Sequence, residues 1–263
     1  MDLKLDDKVA IVTGGAGGIG RAIALALAHE GARVAVVDRN PGPGLQQTAD
    51  TIAASGAQAI GVTADVADET AVQDMLRRVV ERFGRADILV NNAGIVSRKT
   101  LLDVSLEEWD AVLRTNLYGC FHCTRVLARH LIQRKAPGRI VNISSIHGRV
   151  AKAAMGSYCA SKAAIDMLTK QAAVELAPAG IMVNAVAPGT ISTDINIPLY
   201  RSTAPADVAL RTATLKRVPM GRLGEPDEIA RMVTFLCSAA SGYVTGTVTY
   251  VDGGYTAEGT PRM

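Results

Sequence analysis

The chain has 263 residues, of which 48% are hydrophobic and 20% charged, a balance that supports a large buried core and excludes an intrinsically disordered protein. Its 28 basic and 25 acidic residues are mixed along the chain and only 4% of residues are aromatic, so neither a phosphate backbone nor stacked bases would find a matching surface. The polar segment 1–8 lacks the basic and apolar regions of a signal peptide, and no stretch reaches the roughly 18 apolar residues of a membrane span, so we expect a cytoplasmic protein with no nucleic-acid or membrane partner.

Short apolar runs rich in Val, Ile and Ala alternate along the chain with longer segments of helical periodicity. The apolar runs predict seven buried strands, at Val9–Val12, Arg33–Val37, Gln58–Val62, Asp87–Val90, Arg139–Ile143, Met182–Val186 and Thr247–Val251. The periodic segments predict helices at Ile19–Glu30, Gly44–Ser55, Glu69–Phe83, Leu106–Lys135, Ser157–Leu176 and Pro226–Cys237, with Gly31 and Gly180 as helix C-caps. Regular alternation predicts an α/β fold, a doubly wound parallel seven-stranded sheet with helices on both faces.

One segment departs from this regularity. No repeat, low-complexity tract or linker divides the chain, so we predict a single domain over residues 1–263. In Thr190–Arg222, however, Pro198, Pro205 and Pro219 interrupt a weak helical pattern. An excursion of this kind after a strand often covers the ligand crevice, so we predict a substrate lid at about 190–222.

A glycine-rich turn joins the first predicted strand to the first predicted helix. The turn contains Gly14 and Gly18, and Ile19 and Gly20 follow at the start of the helix. Glycines permit a tight turn and a close approach of the backbone to a pyrophosphate, while the helix N-terminus offers free N–H groups and a favourable dipole. Strand, glycine turn and helix in this order predict a dinucleotide site in a Rossmann-like sheet.

Acidic residues follow the next two predicted strands. Asp38 ends the second strand, where a carboxylate accepts hydrogen bonds from ribose hydroxyls and repels a 2′-phosphate, so we expect NAD rather than NADP. Arg39 adjoins it and could instead bind such a phosphate. Asp65 and Val66 follow the third strand and could contact the adenine, although an Asp at a helix N-terminus is also an ordinary structural feature.

Further short motifs follow in order: Asn91-Asn92-Ala93-Gly94, Asn116, Ser145, Tyr158-Cys159-Ala160-Ser161-Lys162 and Pro188-Gly189. Together with the glycine turn, this set resembles the short-chain dehydrogenase/reductase family nearly from end to end. The resemblance implies a nicotinamide-dependent oxidoreductase, commonly a homotetramer. It also implies cofactor contacts for residues after the fourth and sixth strands: Asn92, Ala93, Gly94, Pro188, Gly189, Ile191 and Thr193. Both segments follow strands at the edge where open α/β sheets bind ligands, although each could be a plain loop.

Hydride transfer at a carbonyl carbon requires a matched proton transfer at its oxygen. Tyr158 can carry this proton if its pKa falls from about 10, and a nearby cation would stabilise its phenolate. Lys162 lies at i+4 on the same helix face, and the resemblance also has it bind the nicotinamide ribose. An isolated Tyr-x-x-x-Lys is more often a half-buried aromatic beside a solvated lysine, but the surrounding motifs favour catalysis.

Two polar residues complete the predicted catalytic set. Ser145 closes the fifth strand and could hold the substrate oxygen beside Tyr158. Ser144 is chemically equal, so the choice of Ser145 rests on the family spacing to Tyr158. The resemblance makes Asn116 a water-holding link in a proton relay with Lys162, and the alternative is a surface amide on a long helix.

The substrate is less clearly marked. The segments Ser145–Lys152 and Thr190–Asn196 look similar to those of bacterial sugar 1-dehydrogenases of the glucose type, which oxidise an aldose to its lactone. His147 could bind a sugar hydroxyl or simply be held by the backbone. Arg149 and Lys152 could meet a carboxylate or sulfonate on the sugar, although exposed basic residues usually serve solubility.

Three other functions compete with a sugar dehydrogenase. A 3-oxoacyl carrier-protein reductase shares nearly all the motifs but is expected to use NADPH, against Asp38. A dehydrogenase of steroids or other secondary alcohols is a further alternative. A non-catalytic NAD-binding regulator would leave the catalytic set without a use. No metal is expected, because the Cys120-x-x-Cys123 pair lies in a helical segment with no second ligand pair at zinc spacing.

Overall fold

The computed structural model describes residues 3–193 and 202–258. Its strands are β1 (Val9–Thr13), β2 (Arg33–Asp38), β3 (Ala59–Thr63), β4 (Ile88–Asn91), β5 (Gly138–Ile143), β6 (Ile181–Pro188) and β7 (Val248–Val251). They form one sheet in the order β3-β2-β1-β4-β5-β6-β7, with every neighbouring pair parallel. The predicted seven-stranded parallel sheet is confirmed, and the strand order reverses between β1 and β4.

Helices cover both faces of this sheet. They are α1 (Gly18–His29), α2 (Pro43–Ala54), α3 (Glu69–Phe83), α4 (Leu106–Leu113), α5 (Gly119–Gln133), α6 (Gly156–Leu176), α7 (Pro205–Lys216) and α8 (Pro226–Cys237). Successive residues of β1 point to opposite faces, so Ala10 and Val12 pack in one apolar cluster with α1 and α8, whereas Val9 and Ile11 pack in another with α3 and α5. The doubly wound arrangement follows from strands that are apolar on both faces.

The helix predicted over Leu106–Lys135 is wrong as a single α-helix. It is interrupted by a π turn at Arg114–Tyr118, in which the N–H of Gly119 bonds the carbonyl of Arg114, and α5 ends at Gln133. Gly119 joins the π turn to α5, and a Cβ on it would come within 2.6 Å of the Val66 side chain. The helix is therefore in close contact with the loop that follows β3. The wider turn also directs Asn116 inward, as described below.

Glycines end two of the predicted helices as expected. Gly31, with φ of +90°, follows α1, and Gly180, with φ of +74°, closes the short 3₁₀ turn after α6. Both adopt the left-handed conformation that a helix C-terminus favours in glycine.

The segment predicted as a lid is described in two parts. Gly224 donates its N–H to Thr190 and accepts from Ser192, which ties the start of the segment to the approach to α8. The helix α7 begins at Pro205. Residues 194–201, which include Pro198, lie outside the described residues. Within the described part, no helix is long and apolar enough to cross a membrane.

Candidate active site

The glycine turn is held tightly against the loop after β4. Gly14 has a φ of +63°, and the Asn92 side chain donates to the carbonyls of Thr13 and Gly14, each at 3.0 Å. A Cβ on Gly20 would lie 2.1 Å from the Gly14 oxygen, so no larger residue fits without a shift. Beyond this contact the turn is open, because a Cβ on Gly17 would meet nothing within 4 Å.

The N-terminus of α1 is free to bind an anion. Gly17 is its N-cap and supplies no side-chain hydrogen bond, and the first turn has no acidic residue. The first N–H groups of a helix have no intrahelical partners and carry a partial positive charge. An open glycine cradle at an uncapped helix end therefore fits the pyrophosphate of a dinucleotide.

A cavity opens above the carboxyl ends of β1, β2, β3 and β4. It is lined by Gly14, Val37, Asp38, Arg39, Asn40, Ala64, Asp65, Val66, Ala93, Gly94, Ile95 and Thr115. The structure therefore brings together all the residues predicted for the adenosine half. Asp65 is not the cap of α3, because that role belongs to Asp68, which accepts from the N–H groups of Thr70 and Ala71.

Thr13 is a structural residue of this site that the motifs did not indicate. Its hydroxyl accepts from the N–H groups of Asn92 and Ala93, at 3.0 and 3.1 Å, and donates to the carbonyl of Val90. A threonine between an apolar strand and a glycine turn is the available signal. Thr13 and Asn92 together fix the cavity wall.

Asn91 and Asn142 form a buried amide pair beneath the site. Asn91 donates to Asn142 at 2.8 Å and to Thr124 at 3.1 Å, and Asn142 donates to Thr169 at 2.9 Å. Cys120 also contacts Asn142, and burial raises the pKa of its thiol to about 12. The Cys120 thiol is therefore an inert part of the packing, as the helical pattern indicated.

Tyr158, Lys162 and Ser145 converge beside Gly94, a residue of the cavity wall. Tyr158 lies in the first turn of α6, and its hydroxyl is hydrogen-bonded to Ser145, just past β5. The Nζ of Lys162, 5.5 Å from the centroid of the Tyr158 ring, donates to the carbonyl of Ile143 at 2.6 Å. A Cβ on Gly94 would lie 3.8 Å from this Nζ, so the ammonium borders the cavity wall.

The protein alone does not lower the pKa of Tyr158, the change that the role of proton carrier was expected to need. Burial raises the pKa of the Tyr158 hydroxyl, and the hydrogen bond with Ser145 lowers it only in part. Burial also lowers the pKa of Lys162 to about 8, although Asp166 and Cys120 act in the opposite direction. The low dielectric of the site thus favours the neutral form of both groups.

The structure distinguishes the two neighbouring serines. Ser145 bonds Tyr158 and accepts from the N–H of His147 at 3.1 Å. Ser144 instead donates to the carbonyl of Lys162 at 3.4 Å and bonds Asp166. Of the two, only Ser145 faces the predicted proton carrier.

Asn116 is buried rather than a surface residue of the helix, because the π turn directs it into the protein. Its amide accepts from the N–H of Ile95 at 2.8 Å and donates to the Ile95 carbonyl and to Ser161, each at 3.0 Å. Both amide protons are thereby used, so the side chain anchors the loop of Gly94 and Ile95 beside Lys162. The relay remains a prediction.

The segment after β6 lines a second cavity. Gly189, Thr190 and Ile191 lie there opposite Val218, Met220 and Asp252. Pro188 pairs with Val251 at the end of the sheet, and the Ile191 side chain is buried in the core. Thr193 lies beside the glycine turn, with its side chain 3.6 Å from the position of a Cβ on Gly18. Two predicted cofactor segments therefore meet across the cleft.

The three predicted substrate residues have different surroundings. His147 contacts the Val150 carbonyl through Nδ1 at 3.1 Å, as the backbone-held alternative expected, and burial lowers its pKa. The guanidinium of Arg149 lies over the Tyr250 ring, 5.6 Å from its centroid. Lys152 is exposed to solvent.

Known proteins resemble this chain over nearly its whole length. A family model described as enoyl-(acyl carrier protein) reductase matches residues 14–256. The 3-oxoacyl-[acyl-carrier-protein] reductase of Staphylococcus epidermidis is 40% identical over 248 residues, covering 94% of this chain and 98% of its own. A solved short-chain type dehydrogenase/reductase from Mycobacterium marinum shares 39% identity with a TM-score of 0.90, covering 98% of this chain and 99% of its own. A candidate 2-deoxy-D-gluconate 3-dehydrogenase from Agrobacterium tumefaciens, with bound NADP, shares 38% identity, a TM-score of 0.89 and the same coverage.

Proposed function

Because the chain belongs to the short-chain dehydrogenase/reductase family of oxidoreductases, we propose that it transfers a hydride between a nicotinamide cofactor and a hydroxyl or carbonyl group, with Tyr158 as proton carrier. The observation that carries this proposal is the grouping of Ser145, Tyr158 and Lys162 beside the cavity that Asp38 lines: the Nζ of Lys162 lies 5.5 Å from the centroid of the Tyr158 ring and 3.8 Å from the position of a Cβ on Gly94, a residue of the cavity wall. The hydride is exchanged at the substrate carbon and the proton at its oxygen, so cofactor and proton carrier must lie side by side. This cleft places a site for the cofactor next to the Tyr158 hydroxyl.

The residues of the cleft fit a dinucleotide. The glycine cradle and the free N-terminus of α1 would hold its pyrophosphate, and Asp38 its adenosine ribose. Asn92, Ala93 and Gly94 would border its middle, and Pro188, Gly189, Ile191 and Thr193 its nicotinamide end. When bound, the nicotinamide ring supplies the hydride donor or acceptor.

Each catalytic side chain then has a distinct task. Ser145 orients the substrate oxygen, and the raised pKa of Tyr158 keeps this hydroxyl protonated near neutral pH, ready to donate to a carbonyl oxygen. In the oxidation direction the phenolate must form, and the ammonium of Lys162 beside the ring is placed to stabilise it. Asn116 holds the loop beside Lys162 and so fixes the distance between lysine and cavity.

We assign NAD as the cofactor. The Asp38 side chain accepts from the N–H of Asn40 at 3.2 Å, so its carboxylate is held at the cavity wall where a 2′-phosphate would meet a negative charge. Arg39 lines the same cavity, and a preference for NAD requires that the repulsion from Asp38 outweigh its attraction.

For the substrate, a polyhydroxylated sugar oxidised at a secondary or anomeric hydroxyl is our first candidate. Asp38 supports it, because this residue favours NAD whereas a 3-oxoacyl carrier-protein reductase is expected to use NADPH. The His147 segment beside Ser145 and the solved relative that is a candidate deoxygluconate dehydrogenase also support it. The second candidate is reduction of a 3-oxoacyl carrier-protein thioester, which the 40% identity to a reductase of that name favours.

A homotetramer and a cytoplasmic location complete the proposal. Helices α5 and α6 expose large apolar side chains, namely Phe121, Ile132, Met167 and Val174. Apolar helix faces of this kind support association between copies of the chain. The mass in solution, measured by sedimentation equilibrium, tests it, and a monomer would contradict it.

The decisive experiment combines one variant with a substrate panel. NAD and NADP are assayed against aldoses, sugar acids, polyols, secondary alcohols and 3-oxoacyl thioesters. Tyr158→Phe should lose at least about a thousandfold in turnover, because it removes the proton carrier, while NADH binding stays close to that of the wild type. Retained turnover in this variant contradicts the assignment, and NADH binding without turnover on any substrate would favour a non-catalytic regulator.

A further inference from the structure

The chain forms an ordered turn directly after the last strand. One oxygen of the Asp252 carboxylate accepts from the N–H of Gly254 at 2.9 Å, and the other accepts from the N–H and the hydroxyl of Thr256, at 2.8 and 2.6 Å. Gly253 and Gly254 have φ values of +63° and +90°, which glycine adopts without strain. Three hydrogen bonds to one carboxylate therefore fix residues 252–256, which we call the β7 turn.

One side of the β7 turn lies against the segment proposed to border the nicotinamide. The N–H of Gly189 donates to the carbonyl of Val251 at 3.0 Å. A Cβ on Gly189 would lie only 2.8 Å from the Cα of Asp252, so the two backbones are in direct contact. Because packed backbones have no free volume between them, the segment after β6 and the β7 turn must move together.

The other side of the β7 turn lies against the chain that leaves α7. Met220 donates its N–H to the carbonyl of Gly253 at 3.2 Å. A Cβ on Gly253 would lie 2.8 Å from the side chain of Val218, and a Cβ on Gly254 would lie 2.9 Å from the ring of Pro219. The two consecutive glycines therefore permit a closer approach of the chain after α7 than larger residues would allow.

An aromatic contact joins the end of α7 to the same turn. Arg217 follows the last residue of α7, and its guanidinium lies over the Tyr255 ring, 4.6 Å from the centroid. A cation is attracted to the negative face of an aromatic ring, so this contact orients the helix end on the β7 turn.

The β7 turn thereby joins both ends of the segment predicted as a lid. Residues 189–191 at its start and Val218 and Met220 near its end line the second cavity, and Asp252 and Gly253 of the turn line it with them. The start and the end of the segment thus pack on one rigid turn, which fixes the distance between them.

We propose that Asp252 and Tyr255 are positioning residues for hydride transfer, because through the β7 turn they hold Gly189 and the end of α7 in the arrangement that sets the nicotinamide against the substrate. This inference rests on the proposed function, which assigns residues 188–193 to the nicotinamide end of the cofactor. Hydride transfer depends steeply on the distance between the reacting atoms, and a displacement of about 1 Å costs about a hundredfold in rate.

The adenosine half of the cofactor would be little affected by the β7 turn. Asp38 ends β2, and the sheet order places four strands between β2 and β7. A looser turn should therefore slow the hydride step and leave most of the dinucleotide affinity intact. A purely structural role would instead lower stability, with no specific loss at the hydride step.

The test loosens the β7 turn in two independent ways. Asp252→Ala removes the three hydrogen bonds of the carboxylate, and Tyr255→Leu removes the aromatic face under Arg217 but keeps an apolar side chain. Tyr255→Phe keeps the ring and is the conservative variant. Arg217→Gln and its combination with Tyr255→Leu form a double-mutant cycle across the contact.

Two further variants serve as controls. Tyr243→Leu removes a fully exposed tyrosine. Ser238→Ala removes the side-chain hydrogen bonds with the Phe235 carbonyl and the Ala240 N–H. Ser238 contacts Arg139 near the amino end of β5, at the sheet edge opposite the cleft, so this variant reports a loss of stability alone.

The rate of hydride transfer is measured in single turnovers, from the absorbance of NADH, with the substrate of the proposed panel that has the highest kcat/KM. The Kd of NADH and the Tm are measured for each variant. Asp252→Ala and Tyr255→Leu should slow hydride transfer about tenfold or more, with the Kd of NADH within about threefold of the wild type. Tyr255→Phe and both controls should keep the wild-type rate, although Ser238→Ala lowers the Tm.

The double variant should be no slower than Tyr255→Leu alone, because the two substitutions remove one contact. An unchanged rate in Asp252→Ala or in Tyr255→Leu would overturn the inference. An equal loss of rate in Ser238→Ala, or additive losses in the cycle with Arg217→Gln, would also overturn it. The proposed function fails separately, through retained turnover in Tyr158→Phe.

Discussion

Replacing Gly20 with alanine tests whether the glycine turn is held by packing as tightly as the structure indicates. An alanine in the first turn of a helix normally stabilises it by up to about 1 kcal/mol relative to glycine. At Gly20, however, the new Cβ would lie 2.1 Å from the Gly14 carbonyl oxygen and 2.5 Å from the Asn92 amide nitrogen. Ordinary contact begins at 3.4 Å, so the backbone of the turn must move by about 1.3 Å.

The free-energy cost of this backbone movement should exceed the stabilisation that alanine normally gives a helix. Overpacking against backbone costs up to about 3 kcal/mol, which leaves a net loss of about 2 kcal/mol and a Tm lower by about 4 to 8 °C. Displacing the turn also misaligns the donors of the α1 N-terminus, and the loss of one charge-assisted hydrogen bond raises the Kd of NADH about tenfold. Thermal unfolding and a fluorescence titration with NADH measure the two effects.

Gly156→Ala is the control for this experiment. It also lies in the first turn of a helix, but its Cβ would meet only Trp109 at an ordinary 3.6 Å. Its Tm and NADH affinity should stay at or slightly above the wild-type values. If Gly20→Ala were as stable as the wild type and bound NADH equally well, the packing argument for the glycine turn would be refuted.

Three further predictions concern charge and reactivity. Asp38→Asn should raise kcat/KM with NADP about tenfold or more, because it removes the carboxylate that repels the 2′-phosphate, and an unchanged cofactor ratio would contradict the NAD assignment. The pKa of Lys162 is about 8 in the folded protein and near 10.5 when unfolded, so the unfolded state binds more protons between pH 8 and pH 10.5. The free energy of unfolding should therefore rise by about 3 kcal/mol as the pH increases across this window. Denaturant titrations should show that rise in the wild type and lose it in Lys162→Met, and parallel curves would refute the burial of the ammonium. Of the four cysteines only Cys159 is partly exposed, so one thiol should react rapidly with an aromatic disulfide in the native protein, and Cys159→Ser should abolish that phase.

The fold could be predicted because its signals are local. Strands buried on both faces appear as continuous apolar runs, and the helices between them keep a 3.6-residue period, so alternation alone specifies a parallel doubly wound sheet. The π turn at Arg114–Tyr118 could not be predicted in this way. It lengthens one turn by a single residue, and its partners Ile95 and Ser161 are distant in sequence.

The residues of the candidate site also fall into two groups, those placed by the sheet topology and those placed by tertiary packing. Gly14, Asp38 and Ser145 each end or follow a strand at its carboxyl end, so the topology brings them to one edge once the sheet is recognised. Asn116 is different, because its inward placement depends on the π turn and on contacts with Ile95 and Ser161, which are distant in sequence.

The pKa values of Tyr158 and Lys162 show why spacing alone misjudges a site. On an exposed helix, a lysine one turn from a tyrosine would favour the phenolate through its charge. In the folded protein Lys162 is 4% exposed, and the burial that holds its ammonium against the Ile143 carbonyl also removes the water that would solvate a phenolate. Desolvation therefore dominates, and it favours the protonated Tyr158 hydroxyl that reduction of a carbonyl requires. In the oxidation direction Tyr158 must pass its proton to an acceptor and become a phenolate. Burial then favours the ion pair between this phenolate and the Lys162 ammonium, because a low dielectric screens their attraction least.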